Sequence, residues 1–378
     1  MTVYLVVLLS VLNSIAQRGS KVVVSLYALD LGAGAAAVGV LAALFAVFPL
    51  LLAVQAGRIS DRYGVRLPIA LGGFAMAAGL VLPLVFGGLP ALFLCPALLG
   101  LGHIYFHVSV HNLVGSLGTD AERTKNFSTF ALGGSIAAFA GPSLAGFGIE
   151  IAGYRATFAM LAAIALMPAL IVLLHKALIP AHARHEEETA KSALDLLANA
   201  ALRRTLIMSG VTLTGIELFS FYLPIYGREI RLSPSSIGMI LSSYALAGFI
   251  VRAFMHRLAK RFTEAGVLSG SLFLAALAYV AVPALTDGAL LAFAAFALGL
   301  ALGSAQPLTI ILTYNHAPKG RSGEALGMRL MANKVTQIAV PLVFGGLGAL
   351  GALPVFLSTG VFLLAGGVLS LRELRNQA

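Results

Sequence analysis

Residues 57–66 read Gly57-Arg58-Ile59-Ser60-Asp61-Arg62-Tyr63-Gly64-Val65-Arg66, a charged stretch set between apolar runs at roughly 35–56 and 67–87. About 20 consecutive apolar residues cross a bilayer core of about 30 Å as a helix. The stretch therefore reads as the turn between two membrane crossings. Its arginines place that turn on the cytoplasmic face, where lysine and arginine accumulate.

The same alternation of apolar run and charged or Gly/Pro-rich turn continues in both directions. It predicts spans at roughly 4–27, 35–56, 67–87, 91–115, 128–150 and 155–175, then at roughly 203–226, 235–256, 266–285, 289–314, 325–348 and 353–371. That is an all-α polytopic membrane protein of twelve transmembrane helices. Composition agrees: 59% of the 378 residues are hydrophobic and 11% charged, with a mean hydropathy of +0.94, where a soluble domain carries about a quarter charged residues. The formal charge of +10 lies between apolar runs and not on one basic face, which argues against nucleic acid as a partner. Cys95, the one cysteine, sits within an apolar run as a buried thiol and supports no disulfide framework.

With a cytoplasmic N-terminus, seventeen lysines and arginines fall in inside loops, against Arg155, Arg228 and Arg231 outside. This bias predicts that both termini are cytoplasmic in a multi-pass protein of the bacterial inner membrane. Met1 leads straight into an apolar run with no small-residue cleavage pattern, so the first segment is expected to be a retained helix. The longest hydrophilic stretch, from His175 to Arg204, contains Glu186, Glu187 and Glu188. The expected organisation is an N-terminal half at 1–175, a cytoplasmic linker at 176–202 lying partly helical along the membrane surface, and a C-terminal half at 203–378.

The halves repeat at an offset of 199 residues: Tyr27, Gly39, Arg58, Arg62, Pro142 and Gly146 correspond to Tyr226, Gly238, Arg257, Arg261, Pro341 and Gly345. An even number of helices per repeat keeps both copies in the same orientation, related by an axis along the membrane normal.

In this setting the Gly57–Arg66 stretch resembles the cytoplasmic signature loop of the major facilitator superfamily, which runs G-x-x-x-D-R-x-G-R-R or close to it. The resemblance implies two six-helix halves around a substrate cavity, alternating access without cofactor or metal, and a conformational latch made by Gly57, Asp61, Arg62, Gly64 and Arg66. Physically, Gly57 allows close helix packing, Asp61 can sit near a helix N-terminus, and Arg62 can pair across the seam between halves. The equivalent loop, His256-Arg257-Leu258-Ala259-Lys260-Arg261-Phe262, has Lys260 in place of the acid, so only the first half keeps the full pattern. Gly141-Pro142-Ser143-Leu144-Ala145-Gly146 is similar to the core of a motif in the superfamily's drug and metabolite antiporters. Ser128 and Ala137 replace that motif's upstream glycines.

Five cations, Arg18, Lys21, Arg252, Arg329 and Lys334, fall within predicted spans, whereas Glu217 is the only acid well inside one. A charge at mid-membrane costs at least about 2.5 kcal/mol, so such residues face a cavity by default. The imbalance points to an anionic substrate. Arg329 ranks first as its ligand, because guanidinium grips a carboxylate or phosphate bidentately. Arg252, near a helix end, reads as structural or latch-related. Arg18 and Glu217 are equivalent by the repeat, and form either a neutralising salt bridge or a pair broken and remade during coupling.

His103, His107 and His111 recur every fourth residue along one helix. His103 and His111 lie about 12 Å apart along the axis and cannot share an ion, so only an adjacent pair could take one and no metal site is expected. His103 and His107 are candidates for binding the anion or carrying a proton, and His107 is equivalent by the repeat to Gln306. Asn13, Gln17, Tyr222, Asn333 and Gln337 complete the polar candidates, each of which could equally be interhelical glue.

Together these residues predict a monomeric secondary active transporter that moves a small organic anion, of carboxylate or other acidic type, by alternating access with protons or by exchange. The alternative is a proton-driven multidrug exporter. A P-loop and an HExxH motif are both absent from the sequence, and no enzymatic activity is expected.

Overall fold

The computed structural model of the protein describes residues 2–117, 120–174, 193–318 and 321–377. Four helices come first: α1 (Thr2–Asp30), α2 (Ala35–Tyr63), α3 (Arg66–Val85) and α4 (Gly88–Ser116). Helix then runs from Asp120 to Leu174, broken where Gly153 adopts φ 77° and ψ 176°, a conformation that glycine alone adopts readily. The apolar part of this segment, 46 residues, would be about 70 Å long if straight, twice a bilayer core. The break therefore divides it into two crossings, α5 (120–152) and α6 (154–174). There follow α7 (Ala200–Glu229), α8 (Pro234–Phe262), α9 (Glu264–Ala281), α10 (Gly288–His316), α11 (Ser322–Leu347) and α12 (Ala352–Gln377). Twelve long helices and no strand make up the described residues, an all-α multi-pass membrane protein.

The Gly57–Arg66 stretch, expected as a loop, is mostly helix. α2 continues through Tyr63, and only Gly64 and Val65 separate it from α3. Arg62 in the last turn suits the negative end of the helix dipole. Gly64 then stops the helix at φ 77° and ψ 165°, a positive-φ conformation that glycine alone adopts readily. Gly57 corrects a second expectation. A Cβ built there meets nothing within 4 Å, so this glycine does not mediate a close helix contact. Arg62 is exposed, its guanidinium 5.3 Å from the Tyr63 ring. The role expected of the Asp61 side chain lies outside the described residues.

Most of the expected linker, residues 176–192, also lies outside them. Its end is visible as a short 3-10 turn, Ala193–Ala198, after which α7 starts at Ala200. The start is three residues earlier than hydropathy suggests because Asn199 caps it, its side chain accepting from the Ala201 and Leu202 amides.

By backbone proximity the chain forms two compact units: Met1–Glu187 with Arg231–Ser242, and Glu188–Ile230 with Ser243–Ala378. The first unit contains a core cluster of Val6 and Leu9 from α1, Ile69 from α3, Phe106, Val110, Leu113 and Val114 from α4, and Val172 from α6. Within the same unit α5 lies against the start of α8. Ser143 and Ser242 hydroxyls are 2.7 Å apart, Gly146 faces Gly238, and Glu150 accepts from the Ser235 amide at 3.1 Å. In the second unit, Leu196, Leu202, Leu206 and Ala325 pack the 3-10 turn and α7 against the start of α11.

Candidate functional site

In the first unit the polar candidates gather where α1, α3 and α4 meet. Asn13, 1% exposed, donates through Nδ2 to the Met76 sulfur at 3.0 Å, and its Oδ1 lies 3.0 Å from His103 Nδ1. An amide oxygen only accepts, so His103 carries its proton on Nδ1 and, when neutral, has a lone pair on Nε2. One turn on, His107 stacks at a tilt against His103 with ring centroids 5.2 Å apart. Another turn on, His107 Nε2 and His111 Nε2 lie 3.2 Å apart. Gln17 is buried and its Oε1 has no hydrogen-bond partner. Arg18 is exposed, its Cβ against Gly141 of α5, where an added methyl would come within 2.8 Å. Lys21 Nζ stands 6.0 Å from the Phe45 ring centroid.

In the second unit the central element is Arg329 on α11, 4% exposed. Its Nη2 donates to Thr309 Oγ1 at 3.0 Å and to the Gln306 carbonyl at 3.4 Å, both on α10. Its Nε is buried with no hydrogen-bond partner. No carboxylate pairs with it among the described residues, although a buried charge ordinarily has a partner. Arg329 and Gln306 are thus brought together, through the backbone of Gln306.

Lys334 takes a different partner from Arg329, donating to Gln337 Oε1 at 3.0 Å on its own helix. Asn333, 8% exposed, accepts from Ser209 at 3.1 Å and ties α11 to α7. Tyr222, 1% exposed, packs edge-on to Phe356 at 5.5 Å in an aromatic cluster, a packing position. Glu217 is half-buried on α7. Arg252 has a backbone role: Pro307 lacks an N–H, which frees the Gly303 carbonyl one turn before it, and Arg252 Nε donates to that carbonyl at 3.2 Å.

Sequence reasoning missed Met76 and Thr309. A methionine in an apolar run gives no signal. Thr309 does, being a hydroxyl residue beside a helix-interior proline that frees backbone acceptors. Among the described residues no three His, Cys, Asp or Glu side chains group as metal ligands.

The chain folds like transporters of known structure. It superposes on a peptide transporter, POT, in complex with sulfate with a TM-score of 0.82 at 16% identity, covering 99% of this chain and 94% of that one. On a point mutant of the nucleoside transporter NupG the TM-score is 0.81 at 13% identity, with 99% of each chain covered. On a bacterial homologue of the human lysosomal transporter Spinster, inward-facing and unoccupied, it is 0.79 at 14% identity over 98% and 95%. No curated protein matches the chain by sequence. The family model described as Major Facilitator Superfamily matches residues 6–230 and again 205–377. Twelve apolar helices, a six-helix repeat and that double match establish that the chain belongs to the Major Facilitator Superfamily of membrane transporters.

Proposed function

We propose that this transporter moves a small organic anion, a carboxylate-type or other acidic metabolite, across the bacterial inner membrane by alternating access. Protons or exchange drive it, and it works as a monomer with both termini cytoplasmic. The fold alone does not select a substrate, since structures this similar serve peptides and nucleosides. The observation that carries the reading is Arg329: a guanidinium 4% exposed, fixed at one nitrogen by Thr309 and Gln306, with a buried Nε–H that has no acceptor. A carboxylate or phosphate oxygen supplies both the missing acceptor and the missing negative charge. His103 and His107 are the proposed proton carriers in the first unit and Glu217 in the second. The latch residues keep the role the signature implies.

A proton-driven multidrug exporter is the second reading, favoured by the Gly141–Gly146 segment. Exporters of cations need cavity acids, and the spans hold Glu217 alone well inside them.

The test is a thermal-shift screen of purified protein against organic anions and cations, since a ligand bound to the native state raises its melting temperature. Acids are expected to stabilise the wild type and cations not. Arg329→Ala should lose at least one charge-assisted hydrogen bond to the anion, about 1.5–3 kcal/mol, or roughly tenfold to a hundredfold in affinity. Arg329→Lys should keep part of it. Normal anion binding by an Arg329→Ala protein that melts far lower without ligand would make Arg329 structural and sink the reading.

A further inference from the structure

His111 has no part in the anion site, yet it stands in direct ring-nitrogen contact with a second imidazole. It and His107 stand one turn apart on α4, with Nε2 atoms 3.2 Å apart. Their ring centroids are 4.3 Å apart, farther than the nitrogens, so the rings converge at their Nε2 ends. Transition metals bond imidazole nitrogen at about 2.0–2.1 Å. An ion seated on both nitrogens at that length subtends an angle of about 100°, between the octahedral and tetrahedral values.

We propose that His107 and His111 chelate one divalent transition-metal ion of the Zn²⁺, Ni²⁺ or Cu²⁺ class through Nε2. In the metal-free protein one Nε2 donates to the other, so one imidazole already offers a lone pair. The donor ring binds metal by carrying its proton on Nδ1 instead, a tautomer change that needs no net loss of a proton from a neutral pair.

The surroundings fit such a site. Phe130 of α5 meets the His111 ring edge-to-face at 4.7 Å and walls off one side. Asn112 donates to Ser60 of α2 at 3.4 Å, which holds this end of α4 against its neighbour. His103 is excluded from the ligand set by distance, two turns from His111. The described residues bring no third His, Cys, Asp or Glu to the pair, so water or a small anion fills the remaining positions. The proposal does not depend on the anion site at Arg329.

The experiment uses full-length protein in detergent, purified through a tag free of histidine. Zn²⁺ binding is measured by calorimetry, and nitrogen coupling to Cu²⁺ by electron paramagnetic resonance. One ion per chain is expected, with spectra showing two imidazole nitrogens. Either His107→Ala or His111→Phe should weaken Zn²⁺ binding by more than about tenfold, since loss of a direct ligand exceeds the effect of losing its outer support. His111→Phe keeps the ring contact with Phe130, and its metal-free melting temperature reports whether the fold persists. His103→Ala should bind as the wild type does. The proposal is overturned if stoichiometric Zn²⁺ binding is absent, or if it persists unchanged in both pair variants; the two rings then form only a hydrogen bond.

Discussion

Replacing Gly238 by alanine tests the contact between α5 and the start of α8. A methyl there would lie 2.5 Å from the Pro142 carbonyl oxygen and 3.2 Å from the Gly146 Cα. Both are backbone atoms, so no side chain can swing aside. Restoring an ordinary carbon–oxygen contact of about 3.3 Å requires the helices to part by roughly 0.8 Å. That movement strains two hydrogen bonds one turn away, Ser143 to Ser242 and Ser242 to the Phe139 carbonyl, both 2.7 Å. Overpacking of this kind costs about 1–3 kcal/mol, and each interhelical hydrogen bond in a membrane about 0.6 kcal/mol. The better helix propensity of alanine returns about 0.5–1 kcal/mol. A net loss of about 1–3 kcal/mol should lower the melting temperature in detergent by several degrees. Gly134→Ala on the same α5 is the control, because its methyl meets nothing within 4 Å and should leave melting unchanged or slightly raised. A Gly238→Ala protein that melts at or above the wild type would refute the argument from close approach.

Three further outcomes are expected. Arg321 donates to Asp195 at 2.6 and 2.9 Å and also holds Glu324, keeping the Asp195 carboxyl below its ordinary value of 3.8. A folded-state value below the unfolded one means the stabilisation is complete above pH 3.8 and lost as pH falls through the window beneath it. Asp195→Asn should therefore melt lower than wild type at neutral pH, with the gap closing only below pH 3.8 and shrinking in high salt; a gap independent of both would count against the ion pair. Tyr279→Phe removes the donor to the Gly215 carbonyl in a fully buried site and should cost about 1 kcal/mol in thermal stability, with normal melting as the contrary result. Glu217→Gln should flatten the pH dependence of transport, and an unchanged profile at normal rates would remove Glu217 from coupling.

The helices were legible in the sequence because membrane crossing imposes a length and a polarity that hydropathy reads directly. Even the break at Gly153 falls in the short gap between the predicted spans at 128–150 and 155–175. The ends were not legible to the same degree, because side-chain chemistry sets them after hydropathy stops: Asn199 starts α7 early, and Gly64 lets α2 run to Tyr63. Which polar residues meet was not legible for a different reason. Asn13 and His103 are 90 residues apart, and which polar residue meets which depends on helix rotation, about which composition says nothing. Arg252 shows what was recoverable, since a proline at 307 declares a free carbonyl at 303 and a nearby arginine has an obvious use.

The repeat explains why a symmetric scaffold carries unsymmetric chemistry. At the offset of 199 residues Arg329 on α11 corresponds to Phe130 on α5, and α10, which Arg329 contacts, corresponds to α4. In the first unit that slot is filled by the Phe130 ring edge-on to His111. In the second the same slot holds Arg329 donating to Thr309, beside the backbone opened by Pro307. One backbone arrangement thus supports an aromatic–imidazole contact in one copy and a buried guanidinium in the other. His107 and Gln306 extend the pattern, a titratable ring against an amide whose carbonyl bonds Arg329. Under the proposed function, His103 and His107 in one unit and Arg329 in the other would let proton and anion be held by different halves of the same chain.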